Sequence, residues 1–187
     1  MQSSFRPAGG HTIERKHIAI IANAPLQKAQ TILQKAYYRS YCIAIQAPKG
    51  AYKDVLLYDN GDLYVYVRET AYHNSKYEYT AVRTTKLGRR PPRLRKALSA
   101  LEAWTRAHYP FVEETEFRWS SQIVEPNDYM AFIGKNMGPD RNAYISTGDF
   151  GNGPTNGVVA GRVIANSITG CPNSWASLYS PSRTPKL

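Results

Sequence analysis

The sequence predicts an α+β fold with a largely antiparallel sheet. Most of the chain alternates strand-like stretches with turns, and only two long stretches have clear helical spacing. With 187 residues, 42% of them hydrophobic, the chain is long enough to bury a core. No apolar run approaches the ~20 residues that a membrane span needs, and the N-terminus lacks the hydrophobic block of a secretory signal. We therefore expect a cytoplasmic protein.

The first elements are predicted to be a strand, a short helix and a second strand. "KHIAIIA" (residues 16–22) has the composition of a buried strand, which Asn23 and Pro25 end. Residues 26–36 favour a short helix. "YYRSYCIAIQA" (residues 37–47) is rich in aromatic and β-branched residues, which predicts a strand.

A β-hairpin is predicted around the turn "DNGD" (residues 59–62), which separates "DVLLY" from "LYVYVRE". The second of these strands alternates in character. One face carries Tyr64, Tyr66 and Arg68, and the other carries Val65 and Val67. "KYEYTAV" (residues 76–82) predicts one further strand.

The first long helix is predicted over "RLRKALSALEAWTRAHY" (residues 93–109), directly after two prolines. Its apolar residues recur at helical spacing: Leu94, Leu98, Leu101 and Trp104. Three strands are predicted to follow, in "TEFRWSSQIVE", "MAFIG" and "NAYIST".

The last helix is predicted over about residues 154–169, ended by Gly170 and Pro172. Small and apolar residues at helical spacing predict its packed face: Ala160, Gly161, Ile164, Ala165 and Ile168.

A glycine-rich loop, "TGDFGNGP" (residues 147–154), precedes this last helix. Asn152 is a suitable N-cap and Pro154 suits the first helical turn, so the helix is predicted to begin at the glycines. The free N–H groups and the charge of about +0.5 at the helix start suit an anion or a group that gains negative charge. The loop is not a dinucleotide fingerprint, because its glycines are spaced GxGxxxG and no acidic residue follows Asp149. A structural turn without a ligand is the alternative.

The positive charge of the chain is concentrated in one stretch. The net charge is +10, and residues 83–96 contribute seven basic and no acidic residues to it. One alternative function is therefore a nucleic-acid-binding module, whose phosphate contacts would make its affinity fall steeply with salt. Another is a non-catalytic interaction domain that self-associates through exposed apolar surface. The four histidines and two cysteines lack metal-ligand spacing.

"TGDFGNGPTNGVVAGRVIANSITG" resembles the C-terminal flavin loop and helix of FAD-dependent oxidoreductases of the D-amino-acid-oxidase-like superfamily. It is most similar to the glycine/sarcosine-oxidase-like and glutamylputrescine-oxidase-like branch, which oxidises amines and amino acids. The resemblance continues, in the family's order, through "ANAP", "YYRSY", "LYVYVRE", "LEAWTRAHYP" and "WSSQIVEPNDYMAFIGKN". It covers nearly all of the chain except about residues 83–96.

The resemblance implies that residues 147–157 lie against the isoalloxazine ring of FAD, with the helix start near its N1–C2=O side. Glycines suit such a place because side chains would block the approach of the ring. A preorganised helix start would stabilise the negative charge of the reduced flavin. The cofactor-binding residues that the resemblance implies are Ala22, Asn23, Thr147, Gly148, Asp149, Gly151, Asn152, Gly153, Pro154 and Thr155.

The strands at residues 38–45 and 63–68 resemble the family's substrate domain, which covers the other face of the flavin. The resemblance implies oxidation of a small amine or amino acid by hydride transfer to the flavin. Tyr66 would then supply an aromatic wall, and Arg68 would bind a substrate carboxylate with two parallel hydrogen bonds. A solvated strand face is the alternative for both residues.

The family's main FAD-binding unit is an N-terminal βαβ unit with GxGxxG, and this chain begins after it. We therefore expect little FAD affinity and little activity from the chain alone. A remnant, a truncated gene model and one portion of a longer protein whose N-terminal half binds FAD are the alternatives. The expected division is residues 1–36 as a strand and connection of the FAD-binding domain, 37–124 as the substrate-domain-like region and 125–187 as the flavin loop and helix. The chain departs from the family at Ala22, Val65 and Pro154, where Thr, His and Met are common.

The basic stretch has a second explanation. Relatives carry a segment like G-x-D-H-K-x-G-Q between the "YEYT"-type strand and the "LEAW" helix. One set of codons for "RTTKLGRR" (residues 83–90), read from the third base, gives D-H-K-V-G-Q-E. We hypothesise that residues 83–90 are a frame-shifted copy of that segment, which the genomic coding sequence would test.

Overall fold

A computed structural model describes residues 3–5, 9–23, 35–51, 53, 55–61, 64–70, 77–85 and 94–184. The chain divides into two compact units. Met1–Ala36 and Val124–Leu187 together form unit 1, and Tyr37–Ile123 forms unit 2. Unit 2 is thus continuous in sequence, whereas unit 1 is assembled from the two ends of the chain.

The described residues form ten strands and two helices. The strands are β1 (Ser3–Phe5), β2 (Ile13–Arg15), β3 (Ile18–Ile21), β4 (Lys35–Pro48), β5 (Leu56–Tyr58), β6 (Val65–Thr70), β7 (Tyr77–Thr85), β8 (Thr115–Pro126), β9 (Phe132–Lys135) and β10 (Ala143–Thr147). The helices are α1 (Leu94–His108) and α2 (Gly153–Thr169). No helix within these residues is long and apolar enough to cross a membrane. The mixed α+β class agrees with the prediction.

The predicted C-terminal boundary of the first helix, at residue 36, is wrong. Residues 24–34 lie outside the described part of the chain, but Lys35 and Ala36 already belong to β4. The extended backbone therefore begins two residues before the predicted strand.

Unit 2 contains most of a five-stranded sheet in the order β5-β6-β7-β4-β8. The first two residues of β4 and the last three of β8 belong to unit 1. The pairs β5–β6, β6–β7 and β4–β7 are antiparallel. Helix α1 packs on this sheet, and their shared core contains Tyr41, Ile43, Val65, Val67, Val82, Leu98 and Leu101.

The buried face of α1 differs from the predicted one at both ends. Leu98 and Leu101 are buried as predicted, but Leu94 is 49% exposed and Trp104 is only partly buried. Thr105 is fully buried instead, because its hydroxyl donates a 2.8 Å hydrogen bond to the carbonyl of Leu101 and so brings no unpaired polar group into the core.

The predicted hairpin is present between β5 and β6. Asp59 joins the two strands, because its Oδ1 accepts a 2.9 Å hydrogen bond from Val65 N and its own N–H donates to the carbonyl of Val65 at 3.1 Å. Residues 62–63 of the turn lie outside the described residues. The alternation along β6 is confirmed, since Val65 and Val67 are buried and Arg68 is exposed.

Unit 1 contains a three-stranded sheet in the order β3-β10-β9, together with the antiparallel β1–β2 pair. Strands β3 and β10 run parallel, and β9 and β10 run antiparallel. Helix α2 packs against this sheet through a core of Ala131, Ile133, Tyr144, Ala160, Val163 and Ile164.

Two burial predictions in unit 1 need correction. Strand β3 was predicted to be buried, but it lies at the edge of its sheet and Ile21 is 70% exposed. On α2, Ala160 and Ile164 are buried as predicted. The third buried position is Val163, whereas Gly161, Ala165 and Ile168 are exposed. The packed face is therefore rotated away from the predicted stripe.

Candidate functional site

The C-terminal ends of two strands and the start of a helix meet at one end of the three-stranded sheet. Because β3 and β10 are parallel, their last residues, Ile21 and Thr147, lie at the same end of the sheet. Ala22 N donates to the carbonyl of Ser146 at 3.3 Å. Residues 148–152 then connect β10 to α2. Together they surround a recess, lined by Ile21, Ala22, Asn23, Ser146, Thr147, Gly148, Asp149, Gly153, Asn156 and Gly157.

The recess has a volume of about 90 Å³. An enclosed cavity that holds a benzene ring measures about 150 Å³. The recess therefore has room for one edge of a planar group, with the rest of that group lying outside it.

The connecting loop depends on left-handed backbone conformations. Gly148 and Gly151 have φ values of +71° and +77°. A Cβ on Gly148 would also lie 2.7 Å from Pro126 Cγ, whereas one on Gly151 would meet nothing within 4 Å. Glycine is therefore favoured at residue 148 for two reasons, its conformation and the lack of space, and at residue 151 for its conformation alone.

Two aromatic residues next to this loop also have positive φ. Phe150 has φ 54° and Tyr129 has φ 59°, and they are the non-glycine residues with positive φ among those that the structure describes. Their rings pack edge to face, with centroids 5.4 Å apart. Phe150 N also donates to the carbonyl of Val124 at 3.3 Å. The contact between the rings helps to hold both residues in a conformation that is unfavourable for side chains with a Cβ.

Asn152 occupies the predicted N-cap position of α2, but its side chain forms no capping hydrogen bond. Its Nδ2 instead faces the carbonyl of Phe150 at 3.4 Å. The loop is held by Asn156, whose Nδ2 donates to the carbonyl of Asp149 at 2.9 Å. The prediction of the helix start is thus confirmed, whereas the expected capping role of Asn152 is not observed.

A buried lysine lies beneath the loop. Lys35 is 8% exposed, and its Nζ donates a 3.0 Å hydrogen bond to Thr147 Oγ1, which itself donates to the carbonyl of Asn23 at 2.8 Å. Burial and the nearby positive charge of Arg183 lower the pKa of Lys35 to about 8. No sequence pattern predicted a role for Lys35, because it lies at the end of a predicted helix and its partner is 112 residues away.

A second cation, the partly buried Arg183, fixes the C-terminal segment of unit 1. Its Nε and Nη2 donate to the two carboxylate oxygens of Asp128 at 2.8 and 2.9 Å, and this pairing lowers the pKa of Asp128. The guanidinium also lies 3.9 Å from the ring centroid of Phe132, and Lys35 Nζ lies 5.4 Å from the same centroid. The carbonyls of Met130, Ala131, Tyr179 and Ser180 accept the remaining hydrogen bonds of Arg183.

The structure brings six of the ten predicted cofactor-binding residues together in the lining of the recess: Ala22, Asn23, Thr147, Gly148, Asp149 and Gly153. The other four do not line it and lie on the adjoining loop and first helical turn: Gly151, Asn152, Pro154 and Thr155. The remaining lining residues are not among the ten predicted ones: Ile21, Ser146, Asn156 and Gly157. Helical spacing was a usable signal for Asn156, since it lies three residues after Gly153 on the same helix.

The predicted substrate-facing residues Tyr66 and Arg68 lie on β6, in unit 2. Tyr66 is partly buried, and its ring stacks on Tyr64 with centroids 6.3 Å apart. Arg68 is exposed. Their proposed roles remain predictions.

Two further kinds of site, for a metal ion and for nucleic acid, are only partly covered by the described residues. No group of three His, Cys, Asp or Glu side chains there is placed to hold a metal ion. Most of the basic stretch at residues 83–96 falls outside them, because residues 86–93 are not described.

No protein-family model and no curated protein sequence matches the chain. Several solved structures share its fold. Iminodiacetate oxidase from Chelativorans sp. BNC1 aligns with a TM-score of 0.65 and 18% identity, over 98% of this chain and 50% of its own. A thermally stable mutant of fructosyl peptide oxidase gives 0.67 and 16%, over 98% and 49%. Glycine oxidase from Geobacillus kaustophilus gives 0.58 and 14%, over 95% and 48%. The chain thus has the fold of about half of these oxidases.

Proposed function

We propose that this chain forms part of an FAD-dependent oxidoreductase that oxidises a small amine or amino acid. The observation that carries the proposal is the recess, in which two parallel strand ends, a glycine loop and a helix start converge. The order of the sequence motifs and the fold shared with solved oxidases support the same assignment.

The residues of the recess fit one edge of a flavin ring. Ala22, Gly148 and Gly153 present little or no side chain, so a planar group is able to approach the backbone closely. The start of α2 supplies N–H groups and a partial positive charge, and Asn152 does not cap them. Bound flavin would supply the acceptor for the two electrons removed from the substrate.

Both negative and positive charges lie around the recess, and their balance would decide whether it favours an anionic or a cationic group. Asp149 brings a carboxylate to the lining, and its Oδ2 lies 3.0 Å from the place of a Cβ on Gly153. The ammonium of Lys35 and the start of α2 contribute positive charge from below and from the side. We propose that the positive contributions dominate when the recess holds a group that gains negative charge.

Substrate binding is assigned to β6 within the same proposal. The exposed guanidinium of Arg68 is available to bind a substrate carboxylate with two parallel hydrogen bonds. The stacked pair of Tyr64 and Tyr66 offers an apolar wall for the rest of a small substrate.

The proposal includes weak flavin binding by this chain alone. The recess has room for one edge of the ring, and the solved oxidases contain about as much chain again beyond the part that matches. We propose that further polypeptide binds the adenosine diphosphate part of FAD.

Quenching of flavin fluorescence tests the proposal at equilibrium. The chain would be titrated into FMN and into FAD, alongside an Ala22→Trp variant that fills the recess and a Val158→Trp control. Val158 is 76% exposed on α2, so its replacement leaves the recess open. We expect saturable quenching by the wild type and the control but not by Ala22→Trp. If the wild type quenches neither FMN nor FAD up to the highest soluble protein concentration, flavin binding by this chain is refuted.

Reduction of the bound flavin by a substrate tests the proposed amine oxidation. Glycine and iminodiacetate, the substrates in the names of two matched oxidases, would be added without oxygen to chain that retains flavin. Loss of the oxidised flavin absorbance band is the expected result, and Arg68→Ala should weaken the response to a carboxylate substrate more than its response to an amine that lacks one.

A further inference from the structure

Lys35 connects three segments of unit 1 that are distant in sequence. Its Nζ donates to Thr147 Oγ1 at 3.0 Å, and that hydroxyl donates to the carbonyl of Asn23 at 2.8 Å. The first residue of β4 is thereby tied to the last residue of β10 and to the residues that follow β3. Thr147 and Asn23 both line the recess, whereas Lys35 lies outside its lining.

The surroundings of Lys35 are unusual for a lysine. The side chain is 8% exposed, and among the described residues its ammonium forms no ion pair with a carboxylate. Asp128 is paired with Arg183 instead. Burying an ammonium is unfavourable, and one hydrogen bond with a contact to the Phe132 ring offsets that cost only in part. Methionine would fill a similar volume without the charge.

The stem of Lys35 passes directly below the glycine loop. Its Cε would lie 3.6 Å from a Cβ on Gly148, so the aliphatic chain supports the peptide at which the loop leaves β10. Burial of the ammonium end therefore has a local consequence: it fixes Thr147, and Thr147 fixes where the loop begins.

We propose that Lys35 is a positioning residue for the recess, which acts through Thr147 to hold the ends of β3 and β10 and the first peptide of the glycine loop in place. The identity of the ligand rests on the proposed function, but the positioning itself does not. Loss of either end of the Lys35–Thr147 hydrogen bond therefore loosens the same residues, whether or not a flavin binds.

The test compares Lys35→Met, Thr147→Val and Thr147→Ser in the full chain. Valine matches the shape of threonine without its hydroxyl, and serine keeps the hydroxyl. Amide hydrogen exchange without ligand would be measured at residues 22–23 and 146–149, with residues 43–45 of unit 2 as an internal reference. We expect faster exchange at the recess residues in Lys35→Met and Thr147→Val, near wild-type exchange in Thr147→Ser, and no change at the reference.

A double substitution and FMN affinity give the second readout. Because Lys35 acts through Thr147, the pair Lys35→Met/Thr147→Val should lose no more FMN affinity than either single change, each about tenfold. Additive losses, or unchanged exchange in folded Lys35→Met, would overturn the inference. If Lys35→Met does not fold, Lys35→Leu replaces it in the exchange measurement, because Thr147→Val also removes the hydrogen bond to the carbonyl of Asn23. If no variant binds FMN, the proposed function fails while the exchange data still decide the role of Lys35.

Discussion

Gly148 and Pro126 are packed so closely that a Cβ on residue 148 would lie 2.7 Å from the Cγ of the proline. Pro126 is the last residue of β8, and its ring leaves no space for a side chain on residue 148. A methyl group at residue 148 would therefore displace either the ring or the loop.

We predict that Gly148→Ala lowers the free energy of unfolding by about 2–4 kcal/mol, the sum of a left-handed backbone penalty and overpacking. Gly151→Ala is the matched control, because it has a similar φ of +77° but open space. It should cost only about 1–2 kcal/mol. Urea denaturation of both variants measures the difference, and equal losses would contradict a role for Pro126.

We predict a loss of stability of about 2–3 kcal/mol for Asp128→Ala, because the change leaves the partly buried guanidinium of Arg183 without its carboxylate. The exposed pair of Arg106 and Glu102 on α1 is the control, and Arg106→Ala should cost about 0.5 kcal/mol or less. Thermal or urea denaturation of the two variants provides the comparison.

The pair of Asp128 and Arg183 predicts that the free energy of unfolding depends on pH in the acidic range. Arg183 holds the pKa of Asp128 below its ordinary value of 3.8, so the ionised carboxylate stabilises the fold at pH values above 3.8. That stabilisation is lost as the pH falls from 3.8 through the lower pKa of the folded state. The stability difference between the wild type and Asp128→Asn should shrink across this acidic range, and a constant difference would argue against the pairing.

Lys35 predicts a pH dependence of the same sign in the basic range. Its pKa is about 8 in the folded protein and 10.5 ordinarily, so the unfolded chain binds more protons between these values. Stability should therefore rise with pH across that window. Carboxylates do not titrate there, and Arg183 is paired with Asp128. Lys35→Met should lack the rise, which urea denaturation at several pH values would measure.

Asn156 and Asn152 should differ in their importance despite similar chemistry. Asn156 Nδ2 donates to the carbonyl of Asp149 at 2.9 Å, whereas Asn152 makes only a 3.4 Å contact and no cap. We predict that Asn156→Ala costs about 1 kcal/mol and Asn152→Ala less than about 0.5 kcal/mol. A larger loss for Asn152→Ala would restore the capping role that the sequence predicted.

The sequence predicted the structure correctly where a local pattern of residues determines it. The alternation of Val65 and Val67 with their polar neighbours predicted β6 and its buried face, and the glycines before residue 154 predicted where α2 begins. These features depend on neighbours in the chain.

Features that depend on distant partners could not be predicted in this way. The burial of Lys35 depends on Thr147, 112 residues away, and the exposure of Ile21 depends on β3 being an edge strand. The face of α2 shifted to Val163 because the sheet beneath it decides which residues are covered. The roles of Tyr66 and Arg68 came from resemblance and await a substrate.

The division of unit 1 between the two ends of the chain has a consequence for folding order. Asn23 and Thr147 are 124 residues apart, so joining them costs about 4 kcal/mol of chain entropy, against about 2 kcal/mol for the turn between Asp59 and Val65. The hairpins of unit 2 should therefore form early, and the parallel pairing of β3 with β10 late. Until β3 and β10 pair, a nascent chain has no recess, however complete its hairpins are.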